Sequence, residues 1–549
     1  MKKIVKILSL ALAFGMVLFQ SCETTELDLR TDPNALSTDN ADPNFLLNGI
    51  QETFIRIVES FGYTGSQVTR IDYMGSRQYR TAYSPSSFDG RWEDAYTEIL
   101  TDTYAMYALA EDAELNYHIG MGKFMEAYTM SMLVDFLGDV PYSEANNGAD
   151  NFNPSPDAGA DIYANIEVLL NEAIAAFNSG GVAPDNDFFY NGNASKWIKA
   201  CNTLKLKIYI TERLASSDAV SKFNAIISGG NYIQSVADDM QFTWGTNEVS
   251  PDTRHPAYGA DYTTSGGGRY RSNSLMQYMM DTADPRMRYY FYRQNEFTPG
   301  SDGAEPSLET LECSLQTAPA HYAGFPFCTL TNGYWGRDHG NDEGIPPDGF
   351  LRSLVGVYPA GGAFDDNTFE GRVLGEGGGG AGITPVLLAS TVDFWRAEVA
   401  MLANNPGTAK SFVLAGLSKS VSKVLPFGAL DSGADVETYE PTTTEIADHS
   451  DTIDAAFDAD ATGGWNVLGQ EMFVALYGNG IDAYNFYRRT GYPSNLQPNL
   501  EPDPGSFIRS FFYPSNAANN NSNITQKATQ TVQVFWDTNP AGPSFPYSN

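Results

Sequence analysis

The run Tyr163, Ile166, Leu169, Leu170, Ala173, Ile174 and Phe177 sets an apolar side chain at every third or fourth position, the spacing of one face of an α-helix. A strand, whose faces alternate residue by residue, cannot bury such a stripe, so the chain around it must pack helix on helix. The stepping recurs in two blocks. In the first, about 90–235, it passes through Trp92, Tyr96, Ile99, Thr103, Met106 and Ala110, through Met125, Tyr128, Met132 and Phe136, and through Trp197, Cys201, Leu204, Ile208 and Leu214. In the second, about 385–490, it passes through Val392, Trp395, Val399 and Leu402, through Val413, Leu417, Val421 and Val424, and through Leu468, Met472, Ala475 and Leu476. Helices of about 12–20 residues parted by Gly- and Asn-containing turns predict a mostly α fold of stacked, tetratricopeptide-like helical hairpins with long irregular loops and minor short strands. Between the blocks, about 240–385 is rich in Gly, Pro, Tyr and Asp and has little periodicity. An insertion of that length within a compact body is expected to be packed and functional. Past residue 490 the chain is rich in Pro and Asn, and Thr531 to Trp536 alternates as a short strand would.

The N-terminus carries a different signal. Lys2, Lys3 and Lys6 precede an apolar run, Ile7 to Phe19, which is too short to span a hydrocarbon core of ~30 Å at ~1.5 Å per helical residue. Gln20-Ser21-Cys22 follows at once and resembles a bacterial lipobox. That resemblance implies a signal peptide over 1–21 and a lipid-modified Cys22 as the mature N-terminus; the alternative is an ordinary secretory signal. Several acyl chains, at ~0.8 kcal/mol per buried methylene, anchor a protein lastingly. Residues 22–45 then read as a polar, acidic tether.

Charge removes whole classes of partner. Sixty-seven acidic residues against 33 basic ones leave −34, so a nucleic acid would be repelled by most of the surface, as would anionic lipid by the folded body. Of the three remaining cysteines, Cys201 sits on an apolar helical stripe and reads as a buried thiol. Cys313 and Cys328 flank a short loop, and in an exported chain they are expected to form a disulfide.

At Leu133-Val-Asp-Phe-Leu-Gly-Asp-Val-Pro-Tyr-Ser-Glu-Ala145 the chain resembles the SusD/RagB family of Bacteroidetes outer-membrane lipoproteins. Further landmarks follow in family order: Glu26 to Asn34, Trp92 to Leu100, Trp197 to Leu206, Asp284-Pro-Arg286, Trp395-Arg-Ala-Glu398, Arg488-Arg-Thr-Gly-Tyr-Pro493, Arg509 to Asn520 and Phe535-Trp-Asp537. The resemblance implies that 46–549 form a single SusD-like domain. It also implies a SusC-like TonB-dependent β-barrel transporter as partner, with an oligosaccharide, or less often a peptide, as ligand. Arg488 and Arg489 read as structural residues that pair with acidic groups or cap helix carbonyls, and Glu398 reads as a packing or hydrogen-bonding residue.

A sugar-holding site needs flat apolar faces and polar side chains matched to hydroxyls, and two loop clusters offer that mixture. The first is Tyr73, Arg77, Tyr79, Arg80 and Tyr83; the second, in the long insertion, is Trp244, Tyr258, Tyr262, Arg269 and Tyr270, then Tyr334-Trp335-Gly336-Arg337-Asp338. Gly333 and Gly336 bracket the Tyr-Trp pair and predict an exposed turn. Chemistry-bearing motifs are poor. The five histidines show no metal-ligand spacing, and no Gly-x-Ser-x-Gly elbow occurs. Gly375 to Gly380 matches a dinucleotide string without a credible strand before it, and Asp458-Ala-Asp460 opens like a calcium loop that places Gly469 where a bidentate Glu belongs. The expectation is a non-catalytic, surface-exposed binding lipoprotein with no cofactor or metal. A glycoside hydrolase and a structural surface protein are the rival readings.

Overall fold

The computed structural model describes residues 41–298, 301, 312–343 and 351–547. The signal segment, Cys22 and most of the tether lie outside the described residues. The tether expected to run to residue 45 gives way earlier to helix α1, Pro43–Val68, which buries Leu47, Ile50, Phe54, Val58 and Phe61. These residues repeat at three- and four-residue steps, so they carried the same signal as the helices recognised in the sequence.

In the first block, α2 (Thr101–Asp112), α3 (Asn116–Leu137), α4 (Gly159–Ser179), α5 (Ala194–Glu212) and α6 (Ala219–Gly229) each pack on the next. The stripe through Trp92 and Tyr96 enters α2 through a wider π-helical stretch, Asp94–Leu100. Among its described residues the loop-rich region has one regular helix of some length, α7 (Asn273–Asp281), and it is closed at its ends by strand β1, Met240–Thr243, pairing antiparallel with β2, Ile383–Leu387. Among the described residues every sheet has two strands. In the second block, α8 (Ala389–Leu402) lies along α9 (Pro406–Val424), and both pack on α11 (Trp465–Ala475). Helix α10 (Thr443–Ala459) covers α9, and α12 (Ile481–Thr490) returns the chain to α1. Pro406–Leu430 is apolar and long enough to cross a membrane, but its buried residues pack inside this block.

Several of the described residues that carried the family likeness meet in the core. Gly138 ends α3 at φ +83°, a conformation open to glycine, and the turn brings the Tyr142 hydroxyl back to Glu126 Oε1 on that helix at 2.6 Å. Glu398 is fully buried between Arg489 (2.7 Å) and Arg213 (2.7 Å). Burial alone would raise its pKa, but the two guanidinium groups outweigh that and hold it below the usual range. Arg488 lies 3.6 Å from the Tyr484 ring centre and 4.6 Å from that of Trp536, whose indole donates to Asp135 at 2.9 Å. That anchoring replaces the strand expected over Thr531 to Trp536: the segment is irregular, and its alternation reflects Val534 and Trp536 turning into the helical core. Cys201 is buried and its thiol is pushed up to about 12 by desolvation, which makes it a poor nucleophile. Asp460 spends its carboxylate on Thr462 and Asn466, and Asp458 pairs with Lys410, so the calcium-like string works as a helix-entry turn.

Candidate functional site

Backbone pairing inside the insertion brings distant residues together. Arg337 N donates to Arg271 O at 2.9 Å, and Asn273 N donates to Arg337 O at 3.0 Å, so the segments around Tyr270 and Arg337 run side by side. Gly336 allows this, because a Cβ there would lie 2.3 Å from the Arg271 carbonyl oxygen. Beside this junction opens a cavity of about 370 Å³ lined by Tyr63, Gln67, Tyr73, Gly75, Gly268, Arg269, Tyr270, Arg337, Asp342 and Arg352.

One member of the first predicted cluster, Tyr73, and three of the second, Arg269, Tyr270 and Arg337, therefore line the same cavity. The Tyr73 and Tyr270 rings meet edge to face with centres 6.1 Å apart. Arg337 and Arg352 each lie 4.0 Å from the Tyr270 ring centre, and Arg269 lies 4.8 Å from that of Tyr63. Gln67 donates to the Tyr73 carbonyl at 3.1 Å and accepts from the Tyr83 hydroxyl at 2.9 Å. Beneath the floor, Arg271 bridges Asp72 and Asp261, each at 3.1 Å. Burial works against its charge, but Asp261 and Asp72 outweigh that and hold its pKa well above normal. Burial also pushes the Tyr63 hydroxyl up to about 12 and raises that of Tyr73, so both phenols are neutral donors at physiological pH.

The other predicted residues take different places. Tyr79 is fully buried, with its ring against Phe507 and its hydroxyl 3.1 Å from His339 Nε2, so it offers no face to a ligand. Trp335 is also buried, in a small apolar cluster with Cys313 and Cys328. The turn expected to expose it instead folds onto the disulfide that joins those cysteines. Tyr83 is half-buried and positions Gln67; Arg77 is exposed and pairs with Asp342; Arg80 is exposed and donates to Gln78. Tyr334 lines a separate cavity of about 620 Å³ with Asp284, Arg288, Arg293, Glu445 and His449. Its arginines are engaged in the wall: Arg293 pairs with Asp365 at 2.6 Å, and Arg288 donates to the Asp365 carbonyl at 2.8 Å. Nearby Asp284, His449 and Glu471 converge, but Arg286 bonds both carboxylates, at 2.5 Å and 3.2 Å for its Nη2, and fills the place a cation would take. Sequence reasoning missed Tyr63 and Gln67, which sit on α1, together with Asp342 and Arg352, which carry no periodic signal.

Helix α1, the loop that follows it and the long insertion together frame an aromatic, guanidinium-lined cavity. Residues 33–314 match the family model described as starch-binding associating with outer membrane, and residues 383–538 match that described as SusD and RagB outer membrane lipoprotein. The chain belongs to the SusD/RagB family. Among solved structures, a SusD homologue from Bacteroides uniformis aligns with TM-score 0.64 at 17% identity, covering 90% of this chain and 100% of its own. One from Bacteroides fragilis gives 0.63 at 20%, covering 90% and 99%. A chitin-binding SusD homologue from Flavobacterium johnsoniae gives 0.62 at 17%, with the same coverages of 90% and 99%. At these identities the likeness is one of fold. No curated protein matches the chain.

Proposed function

We propose that this protein binds an oligosaccharide without altering it and delivers it to a SusC-like TonB-dependent β-barrel at the outer membrane, held at the cell surface by lipid on Cys22. The observation that carries the reading is the convergence of the half-buried Tyr63 and Tyr73 rings with Gln67 and Arg269 around one open cavity. Rings of this kind cover the C–H faces of pyranoses, while amide and guanidinium groups match their hydroxyl pairs. Among the described residues, the one carboxylate lining the cavity is Asp342, which is engaged by Arg77, an arrangement suited to holding cargo rather than to acid–base chemistry. Family membership and the chitin-binding fold relative support the carbohydrate class and the transporter partner.

Calorimetric titration against an oligosaccharide panel tests this. Tyr73→Ala is expected to weaken binding about 5- to 10-fold, the worth of roughly 1 kcal/mol of ring contact, with an unchanged melting temperature. Heats on a peptide panel alone would reassign the ligand, and release of reducing ends by pure protein would replace binding with hydrolysis.

A further inference from the structure

Gln67 lines the cavity with a side-chain amide that the protein holds at both ends. Its Nε2 donates to the Tyr73 carbonyl at 3.1 Å, and its Oε1 accepts from the Tyr83 hydroxyl at 2.9 Å. A carbonyl oxygen can only accept, so the amide nitrogen must face Tyr73, the amide oxygen must face Tyr83, and the tyrosine must be the donor. We infer that Tyr83, which does not itself line the cavity, is a positioning residue for ligand binding: its hydroxyl fixes the Gln67 amide, and through that amide the Tyr73 ring, in the arrangement that meets the sugar. The inference rests on the reading of this cavity as the carbohydrate site.

The rest of Tyr83 belongs to the scaffold, which is what suits its hydroxyl to this task. The ring meets Phe511 edge to face at 5.1 Å. Phe511 in turn stacks on Phe136 of α3 at 5.6 Å, with the planes 12° apart, and donates its backbone N–H to the Phe136 carbonyl at 2.8 Å. Burial raises the pKa of the Tyr83 phenol, so it stays a neutral donor at physiological pH. Gln67 itself stands one residue before the end of α1 at Val68. The two bonds therefore link Tyr73, in the loop after α1, to that helix through Gln67 and to α3 through Tyr83 and Phe511.

Tyr73 is held at its other polar atoms as well. Its N–H donates to Asp72 Oδ1 at 2.8 Å, its hydroxyl donates to the Asn341 carbonyl, and Arg337 Nη1 lies 3.4 Å from the hydroxyl oxygen. Gln67 supplies the hold on the carbonyl. A ring that must lie flat on a pyranose binds less tightly when it is free to turn, because its ordering then subtracts from the binding free energy. Loss of one hydrogen bond between neutral groups corresponds to roughly a 3- to 10-fold change in an equilibrium constant. Tyr83→Phe removes that one bond and keeps the ring that packs on Phe511, so it acts on the amide without opening a hole in the core.

The test is a double-mutant cycle on the full-length mature protein. Wild type, Tyr83→Phe, Gln67→Ala and the two combined are titrated with maltohexaose, chitohexaose and xylohexaose, with Tyr73→Ala as the reference variant. Tyr83→Phe is expected to weaken binding about 3- to 10-fold beside an intact Gln67, and by less than about twofold in the Gln67→Ala background. In ligand-free protein labelled with nitrogen-15 glutamine, the Gln67 side-chain amide should exchange with solvent at least about threefold faster in Tyr83→Phe than in wild type. Equal losses of affinity in both backgrounds would show Tyr83 acting on the fold at large and overturn the inference. So would a Tyr83→Phe protein that matches wild type in affinity or in Gln67 exchange while Tyr73→Ala still weakens binding, and each of these results leaves the carbohydrate site standing. Binding to none of the three probes, or binding that Tyr73→Ala does not weaken, would remove the site and the inference with it.

Discussion

The helical blocks and the insertion between them are built by different means. In the blocks, the stripes bury carbon, and rings such as Phe54, Tyr128, Phe124 and Trp197 pack edge to face or tilted at 5.3–6.5 Å. In the insertion, regular elements are short, and the chain is held by arginine–carboxylate pairs, tyrosine hydroxyls bonded to backbone carbonyls, and glycines at close crossings. Arg293 with Asp365, Arg271 with Asp72 and Asp261, and Tyr262 with the Val355 carbonyl are of this kind. Carbon burial tolerates exchange among side chains of similar volume, whereas a buried charge depends on one partner. The insertion can therefore place a cavity on a rigid scaffold and hold it through a few specific contacts.

Several experiments would break or sharpen that contrast. The largest effect is expected where the scaffold itself borrows the charge-pair device. Glu398→Gln leaves Arg213 and Arg489 buried without their carboxylate and should cost about 3–5 kcal/mol in denaturant unfolding. Replacing both Cys313 and Cys328 by Ser removes a link across 15 residues, worth ~3 kcal/mol on the chain-entropy account. Hydrogen exchange should show the opening confined to the insertion, with α3 to α5 unchanged.

Smaller effects are expected at the seam. Glu59 on α1 accepts from Thr384 on β2 at 2.8 Å, and burial pushes its pKa from 4.5 up to about 7. The folded state thus binds more protons than the unfolded state between those values, so this carboxyl makes stability fall as pH rises from about 4.5 to 7 and adds no further change above. Glu59→Gln should flatten that window and stabilise the protein at pH 7.5 by about 1–3 kcal/mol, read from thermal melts across pH. The smallest changes in stability belong to Tyr73→Ala and Arg269→Gln, which should register in ligand binding and hardly at all in melting.

Much of the helical scaffold was legible because a helix writes its burial into sequence at a fixed period, as the stripe from Tyr163 to Phe177 does along α4. Helix α1 was legible by the same rule, through Leu47 to Phe61, although the polar residues before it read as tether. The insertion offered no such period. Its aromatics and arginines announced a packed loop region, but composition does not separate a ring that faces solvent from one that faces a disulfide. Tyr79 and Trp335 were reasonable ligand faces by type and neighbourhood, and both are interior. Tyr73, Tyr270 and Arg337 were equally plausible, and they meet.

By itself, then, the sequence determined the helical class, the acidic character that bars polyanions from most of the surface, and landmark residues such as Arg489 and Glu398, whose chemistry requires partners. Tertiary structure alone decided which partners those are, and which aromatic residues from two loops almost two hundred positions apart share one wall. The reason is that periodicity is a local property fixed by backbone geometry, whereas a cavity is fixed by nonlocal crossings such as that of Gly336 over Arg271, which leave no pattern along the chain.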